Sequence, residues 1–465
     1  MQSLARNLSV LTFLCAAVHS SADVIYSNLQ DTPIALDYAG TLIDVDSNGS
    51  WDLNPYLGGV YLANNTLFQP VRDGTNGMDT VQKYASNTTI HGGLLYATGM
   101  GGSIDHLGTT FTAGQEGYLG FKLGSYFGWM RVVFTNNTAG AVIKDWAYET
   151  SGAAIVNGNV LQSTAAGNAQ TVTLTATSGS ITLGSAITDT GDNTNSVVKT
   201  GAGTTALTVF NSYRGPTTIT QGVLALSGSG SIANTSRIDI STSGAIFSVT
   251  GLTGNFTLGS SQTLGGNGMV LATNKIVTAY GTISPGNSPG TLTQDGGTLQ
   301  LGANANLNWQ VYAATAAAGT GYDTVSLTNG ATLDLSLLDS SNPYNINLWS
   351  LSSISPVDVN GDAIGFNNTQ NYTWTIFSTD ATISGFNPNL FNIMTAANNG
   401  TSGFSNDLGG GSFAIGLADG NTDLVMSFTT IIPEPRAALL GSLGLLFALL
   451  RRRRPDAFLR TRRHH

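Results

Sequence analysis

Across residues 167–336, apolar side chains fall at every second position in short runs separated by glycine. TVTLTATSGSITLGSAI, GPTTITQGVLALSGSGSI, SRIDISTSGAIFSVTG and GTISPGNSPGTLTQDGGTLQLG share this plan. Alternation with a period of two marks a strand with one buried face. Short strands recurring with glycine turns predict a stack of coils, each rung pairing edge-on with its neighbours. The expected architecture is a right-handed parallel β-helix. A sandwich built from many hairpins competes with it, because the spacing between runs is irregular.

The flanking regions have other patterns. Residues 23–160 hold aromatic runs broken by Gly and Asn, notably GYLGFKLGSYFGWMRVVFTNN (117–137) and AVIKDWAYET (141–150). Short strands of this kind predict a β-sandwich over 23–160. Residues 337–430 contain closing strands, YTWTIFSTDATISGF and GSFAIGLADGNTDLVMSFTT, with Asp-Gly turns. A solenoid needs an end that hides its last sheet edge, so this region is expected to form a cap. The fold class is therefore all-β, with one exception near the C-terminus, where residues 437–450 run without a charge and are almost wholly apolar.

Composition agrees: only 10% of residues are charged, 58 are Gly, and the helix formers Glu, Lys and Arg are scarce. Between Asp23 and Thr430 there are nine basic and 25 acidic residues. Such a body repels nucleic acid and anionic lipid. The C-terminus is the reverse, with Arg451, Arg452, Arg453, Arg454, Arg460, Arg462 and Arg463. Two opposite charge regimes in one chain suggest two sides of a membrane. The first 22 residues carry Arg6, an apolar stretch from Leu8 to Val18, and small residues at Ser20 and Ala22. This is the layout of a secretory signal cleaved between Ala22 and Asp23. Leu14 before Cys15 argues against lipoprotein processing, and removal of the signal leaves a chain without cysteine.

VVKTGAGTTALTVFNSYRGPTTITQGVLALSGSGSIANTSRIDIS (197–241) carries a KTGAG opening, an Asn-x-Tyr-x-Gly turn (Asn211, Tyr213, Gly215) and Gly222 before an apolar strand. It resembles the autotransporter-associated β-strand repeat, from which Arg214 and Pro216 are mild departures. Residues 281–293 and 321–336 resemble the segments that follow in that family. The resemblance implies a parallel β-helix of the kind found in surface passengers, and it brings no catalytic residues.

The sharpest local chemistry is DVDSNGSWDLN (44–54). Asp44, Asp46, Asn48 and Asp52 stand at positions 1, 3, 5 and 9, with Gly49 at position 6. Oxygen ligands at alternate positions can wrap Ca²⁺, and the glycine permits the sharp turn. Pro55 replaces the usual Glu at position 12 and no helices flank the loop, so a solvated Asp/Asn/Gly turn is the competing reading. DVNGD (358–362) is too short to carry the same weight. GNSPG (286–290) matches a nucleophile-elbow spacing, but only His464 and His465 follow it, and Pro285 and Pro289 disfavour the required helix. His91 and His106 lie 15 apart with no Cys partner. Glu116 and Glu149 are the only glutamates of the body, and residues 170–430 hold only Lys199, Arg214, Arg237 and Lys275 as cations. Neither pattern suits a glycosidase or a polysaccharide lyase, so no enzyme is expected. Trp129 and Trp146 could stack on sugar rings or could equally be core.

The tail completes the reading. Fourteen apolar residues, Ala437 to Leu450, span about 21 Å as a helix, short of a full bilayer core. Arg451 to Arg454 place the C-terminus in the cytoplasm by the positive-inside rule, with residues 455–465 as a basic cytoplasmic tail. Pro433-Glu434-Pro435, the apolar span and the arginines resemble the PEP-CTERM sorting signal (431–454). Its family is exported across the inner membrane by Gram-negative bacteria that make extracellular polysaccharide. The resemblance implies an exosortase-type processing enzyme as a partner. The extension PDAFLRTRRHH departs from the family, and the aromatics of 117–150 resemble an N-terminal domain that commonly accompanies the signal. The function expected is a surface-sorted, non-enzymatic β-rich protein, structural or adhesive in a polysaccharide matrix. A carbohydrate-binding N-terminal domain is the alternative, and a polysaccharide-degrading enzyme the third reading.

Overall fold

The computed structural model describes residues 23–73, 81–97, 111–136, 140–162, 169–189 and 194–431. Among them there are strands and three single-turn 3₁₀ segments, with no α-helix. No helix of the described residues is long and apolar enough to cross a membrane. The expected transmembrane span at 437–450 and the signal at 1–22 lie outside the described residues.

From Ala169 the chain stacks as a parallel solenoid. One sheet runs through Ala169–Thr175, Thr194–Thr200, Thr217–Ile219, Arg237–Ile240, Thr263–Gly266, Thr282–Pro285, Asn306–Val311 and Tyr344–Ser353, ending on Phe391–Met394. A second runs from Ser180–Leu183 through Gly222–Gly228 and Thr291–Asp295 to Tyr372–Thr379. A third side appears at Phe256–Leu258 and continues through Ile276–Ala279, Thr298–Leu301 and Thr332–Asp334. The hairpin alternative for this region is thereby replaced by parallel pairing. The rung length drifts: Thr171 meets Ser196 after 25 residues, but Asn345 meets Asn392 only after 47. Loops, not strands, absorb the difference, which is why the sequence period is weak.

The core follows the alternation. In Thr194–Thr200 the residues Asn195, Val197 and Lys199 point inward. Like side chains then meet between rungs, as in Thr171 with Ser196 (3.0 Å), Thr175 with Thr200 (3.0 Å) and Thr298 with Thr332 (3.0 Å). Toward the end asparagines take over, Asn347 donating to Asn308 (2.9 Å) and Asn398 to Asn347 (3.2 Å). Such cross-strand pairs satisfy short polar side chains while the backbone ladder sets the spacing.

The residues quoted for the repeat resemblance hold rungs together. Asn211 accepts the Ile187 N–H (2.9 Å) and donates to Val209 O (2.8 Å) and Ser231 O (3.2 Å), so one amide joins three turns. Tyr213 is fully buried and its hydroxyl meets Thr217 Oγ1 at 2.6 Å. A Cβ on Gly215 would lie 2.3 Å from Asn195 O, so only glycine lets the rungs close at that turn. Lys199 donates from Nζ to the carbonyls of Thr200 (2.7 Å), Gly201 (2.7 Å) and Gln221 (3.1 Å).

Before the solenoid lies an antiparallel sheet, Gln115–Leu123, Tyr126–Asn136 and Gly140–Glu149. Asp23–Tyr26 pairs antiparallel with Gly140–Glu149 on one side and parallel with Ser180–Leu183 on the other. One four-residue strand thus splices the first sheet into the solenoid. It is fastened by a buried polar group: Asp145 binds Arg131 through two contacts (2.8 and 2.5 Å) and accepts the Tyr26 hydroxyl (2.7 Å). Burial pushes the Asp145 carboxyl up from its usual range, and the Arg131 guanidinium opposes that rise. The sheet buries a separate cluster on its far face, including Phe68, Phe121, Met130 and Phe134, roofed by the Leu53–Asn64 hairpin and loops. This arrangement gives two covered faces without establishing the second full sheet of a sandwich.

Burial pushes the Lys199 ammonium down to about 8 from 10.5. Between those values the unfolded chain holds a proton that the folded chain has released, so stability rises with pH. In denaturant unfolding from pH 8 to 10, the stability of the wild type relative to Lys199→Met is expected to gain on the order of 1–3 kcal/mol. A difference that does not change with pH would refute the burial of the charge.

Candidate functional site

The acidic loop is the one place where the described residues gather three metal-type ligands. Carboxylate oxygens of Asp44, Asp46 and Asp52 lie within 4.8 Å of one another. The positions arise from the turn itself. Ser47 and Gly49 take left-handed backbone conformations (φ 58° and 88°), which reverse the chain between the acids. Asp44 accepts the Asn48 N–H (3.1 Å) and the Gly49 N–H (2.8 Å), and Asp46 accepts the Asn48 N–H (3.2 Å). Asp52 is fully buried, taking the Val45 N–H at 2.8 Å and the Asn65 side-chain amide at 2.9 Å.

Burial first, and then the charge of Asp52, raise the Asp46 carboxyl above its ordinary range. Three carboxylates this close repel each other, and a hard divalent cation would relieve that repulsion through oxygen ligands. Asn48, the fourth ligand expected from the spacing, points its Oδ1 at the Ser50 N–H (2.8 Å) and so serves the turn. An open cavity of about 410 Å³ lies beside the loop, lined by Ile25, Tyr26, Gln30, Asp46, Trp146 and Tyr148.

Of the two readings open for Trp129 and Trp146, sugar platform or core, their burial favours core. Trp129 is 0% exposed and donates from Nε1 to Asn159 Oδ1 at 3.2 Å. Trp146 is 9% exposed and donates to Val45 O at 3.0 Å, which anchors the acidic loop to the sheet. Both sit on central strands of a sheet covered on both faces, Trp129 in the main core and Trp146 in the cluster on the far face, so neither ring is an exposed platform. The aromatic surface lies elsewhere. Tyr38 is 81% exposed and Tyr61 44%, and Tyr56 bridges them with ring centroids 6.4 and 5.4 Å away. Tyr56 and Tyr61 face each other across the Leu53–Asn64 hairpin, a pairing that only the turn register reveals.

The remaining sequence candidates separate. His91 is exposed and its Nδ1 accepts the Gly93 N–H (3.0 Å), a local turn contact; His106 lies outside the described residues. Ser288 sits in a turn wrapped on buried Asp323, whose carboxylate accepts Gly290 N–H (2.8 Å) and Gln310 N–H (2.9 Å). Burial lifts the Asp323 carboxyl well above the usual range. That turn is built for rung closure. Pro433, Glu434, Pro435 and Arg451 to Arg454 lie outside the described residues.

If the loop holds Ca²⁺, millimolar Ca²⁺ raises the melting temperature by about 2 °C or more, and Mg²⁺ at the same concentration does not. Asp44→Asn combined with Asp46→Asn abolishes the shift. No response to millimolar Ca²⁺ retires the site.

Comparison with known families agrees with the solenoid. The family described as passenger-associated-transport-repeat matches residues 197–226. The match spans the strands Thr204–Leu207 and Thr217–Ile219 with parts of Thr194–Thr200 and Gly222–Gly228, and includes Lys199, Asn211, Tyr213, Gly215 and Gly222. No curated protein matches the chain. Residues 197–226 are thus similar to a passenger-associated-transport-repeat, and the structure places them as consecutive rungs of a parallel stack.

Proposed function

We propose that this chain is an exported, surface-sorted, non-enzymatic β-rich protein with a structural or adhesive role in an extracellular polysaccharide matrix. The observation that carries the reading is a passenger-type repeat lying inside an unbroken stack of rungs. The prominent polar residues of those rungs are spent on joining turns, which suits a rod and leaves little for chemistry. An acidic, cysteine-free body fits an exterior location. The N-terminal segment acts as the export signal across the inner membrane. The Pro433-Glu434-Pro435 tail acts as a PEP-CTERM-type address, holding the chain with its C-terminus cytoplasmic until an exosortase-type enzyme releases it.

Mass spectrometry of the mature C-terminus tests the sorting. A chain ending near Pro435 is expected, and an intact run from Arg451 to Arg454 on the mature protein would mean a plain anchor instead.

A second reading, glycan binding by the N-terminal unit, is favoured by the exposed Tyr38 and Tyr61, bridged by the half-buried Tyr56. Ring faces and phenol tips together suit neutral sugars. On this reading a polysaccharide pull-down with the full chain retains binding in a Trp129→Phe variant and loses most of it in Tyr38→Ala/Tyr61→Ala. Equal binding by the double variant removes the reading.

A further inference from the structure

The two ends of the solenoid are finished differently. At the start, Asp23–Tyr26 covers Ser180–Leu183 and Val160–Gln162 covers Ala169–Thr175. At the far end, the second sheet continues from Tyr372–Thr379 to Asp423–Thr429 and then to Ser412–Ala418. Among the described residues no strand pairs with the outer side of Ser412–Ala418. Its sequence, SFAIGLA, has no charge and no proline. Its ladder runs in unbroken register from Ser412 opposite Thr429 to Ala418 opposite Asp423, without a bulge. Natural edges are usually blunted by one of those three devices.

We propose that Ser412–Ala418 is a self-association edge, on which two copies of this chain join antiparallel about Ile415. That centre sets Phe413 opposite Leu417, Ala414 opposite Gly416 and Ser412 opposite Ala418. Phe413, Ile415 and Leu417 all belong to or pack on the main core, so the apolar row continues unbroken across the twofold. The small, partly exposed residues Ser412, Ala414, Gly416 and Ala418 meet on the other face. Asp419 falls opposite Gly411, so no like charges oppose each other. A slip by one residue would turn the apolar row outward.

A second copy is the occupant that fits. It carries the same open edge, so one antiparallel pairing satisfies both at once. The chain's own continuation fits poorly: it leaves at Ile431, beside Gly410, and soon meets Pro433 and Pro435, which lack the N–H a ladder requires. Body charge opposes the pairing, with 25 acidic against nine basic residues over 23–430, so added salt strengthens it. One strand pair is smaller than a standard interface, which places the dimer at micromolar or weaker affinity.

Sedimentation velocity of the full chain in mild detergent, from about 1 to 100 µM, tests this within the range such an interface allows. The expected result is a monomer–dimer equilibrium that tightens between 0.15 and 0.5 M NaCl, concentrations roughly bracketing strong and weak screening. Ala414→Lys/Gly416→Lys sets lysines opposite lysines and is expected to weaken it by about tenfold or more. Ala414 is exposed, and a Cβ on Gly416 would find only Val425 Cγ2 at 3.9 Å, so the variant keeps its melting temperature. Hydrogen exchange at 412–418 is expected to slow as concentration rises. A monomer throughout, an equally tight dimer in the double variant, or assemblies larger than a dimer would each overturn the proposal. Slow exchange at 412–418 independent of concentration would also overturn it, showing the edge covered by the chain itself.

Discussion

Everything in this molecule depends on backbone hydrogen bonds that run along the stack, from each rung to the next. Neighbouring strands must sit about 4.8 Å apart, and any turn between them must fit that spacing. The constraint explains which residues are demanding. Gly215 and Gly222 lie where an added Cβ would come 2.3 to 2.4 Å from a carbonyl of the preceding rung. Asn211 sits where three turns pass each other and uses every polar atom of its amide. Strand residues between these corners need only alternate. Hence the solenoid tolerates loop insertions that lengthen a rung from 20 residues, Val197 to Thr217, to 47, Asn345 to Asn392.

The same constraint creates buried polar groups that a compact core would avoid. Lys199 points inward because the period of two requires it, and its ammonium is held by three carbonyls with no carboxylate among them. Carbonyl dipoles satisfy its donors without neutralising its charge, so desolvation prevails and the ammonium gives up its proton more readily. Asp323 is the mirror case, with two backbone N–H groups and no cation. Arg131 and Asp145 are different, since each compensates the other and Tyr26 completes the group. That pair stands at the splice between the first sheet and the solenoid, where losing alignment would uncover the first rung.

How much of this was legible depended on whether the signal was local. The alternation in 167–336 and the Asn-x-Tyr-x-Gly corner are local, and both correspond to observed strands and contacts. The acidic spacing from Asp44 to Asp52 was legible for the same reason: a tight turn brings alternate residues together. Strand order was not, because Asp23–Tyr26 finds its partners more than 110 residues away. The sequence left Trp129 and Trp146 open between sugar platform and core, because exposure depends on which face of a sheet is covered. The tyrosines were missed because Tyr38, Tyr56 and Tyr61 are unremarkable apart and form a surface only through the hairpin register.

A parallel stack cannot end itself, and that geometric fact places the interesting chemistry of this chain at its two ends. Interior rungs use many of their polar atoms on each other. At the first end the solution is a separate sheet, and that sheet brings with it the acidic loop, the tyrosine surface and a second core. At the other end the chain turns back only once, through Asp419–Asn421, and antiparallel pairing moves the open edge outward without removing it. That open strand can be completed antiparallel by a copy of itself related by a twofold axis, so that each copy closes the other's edge.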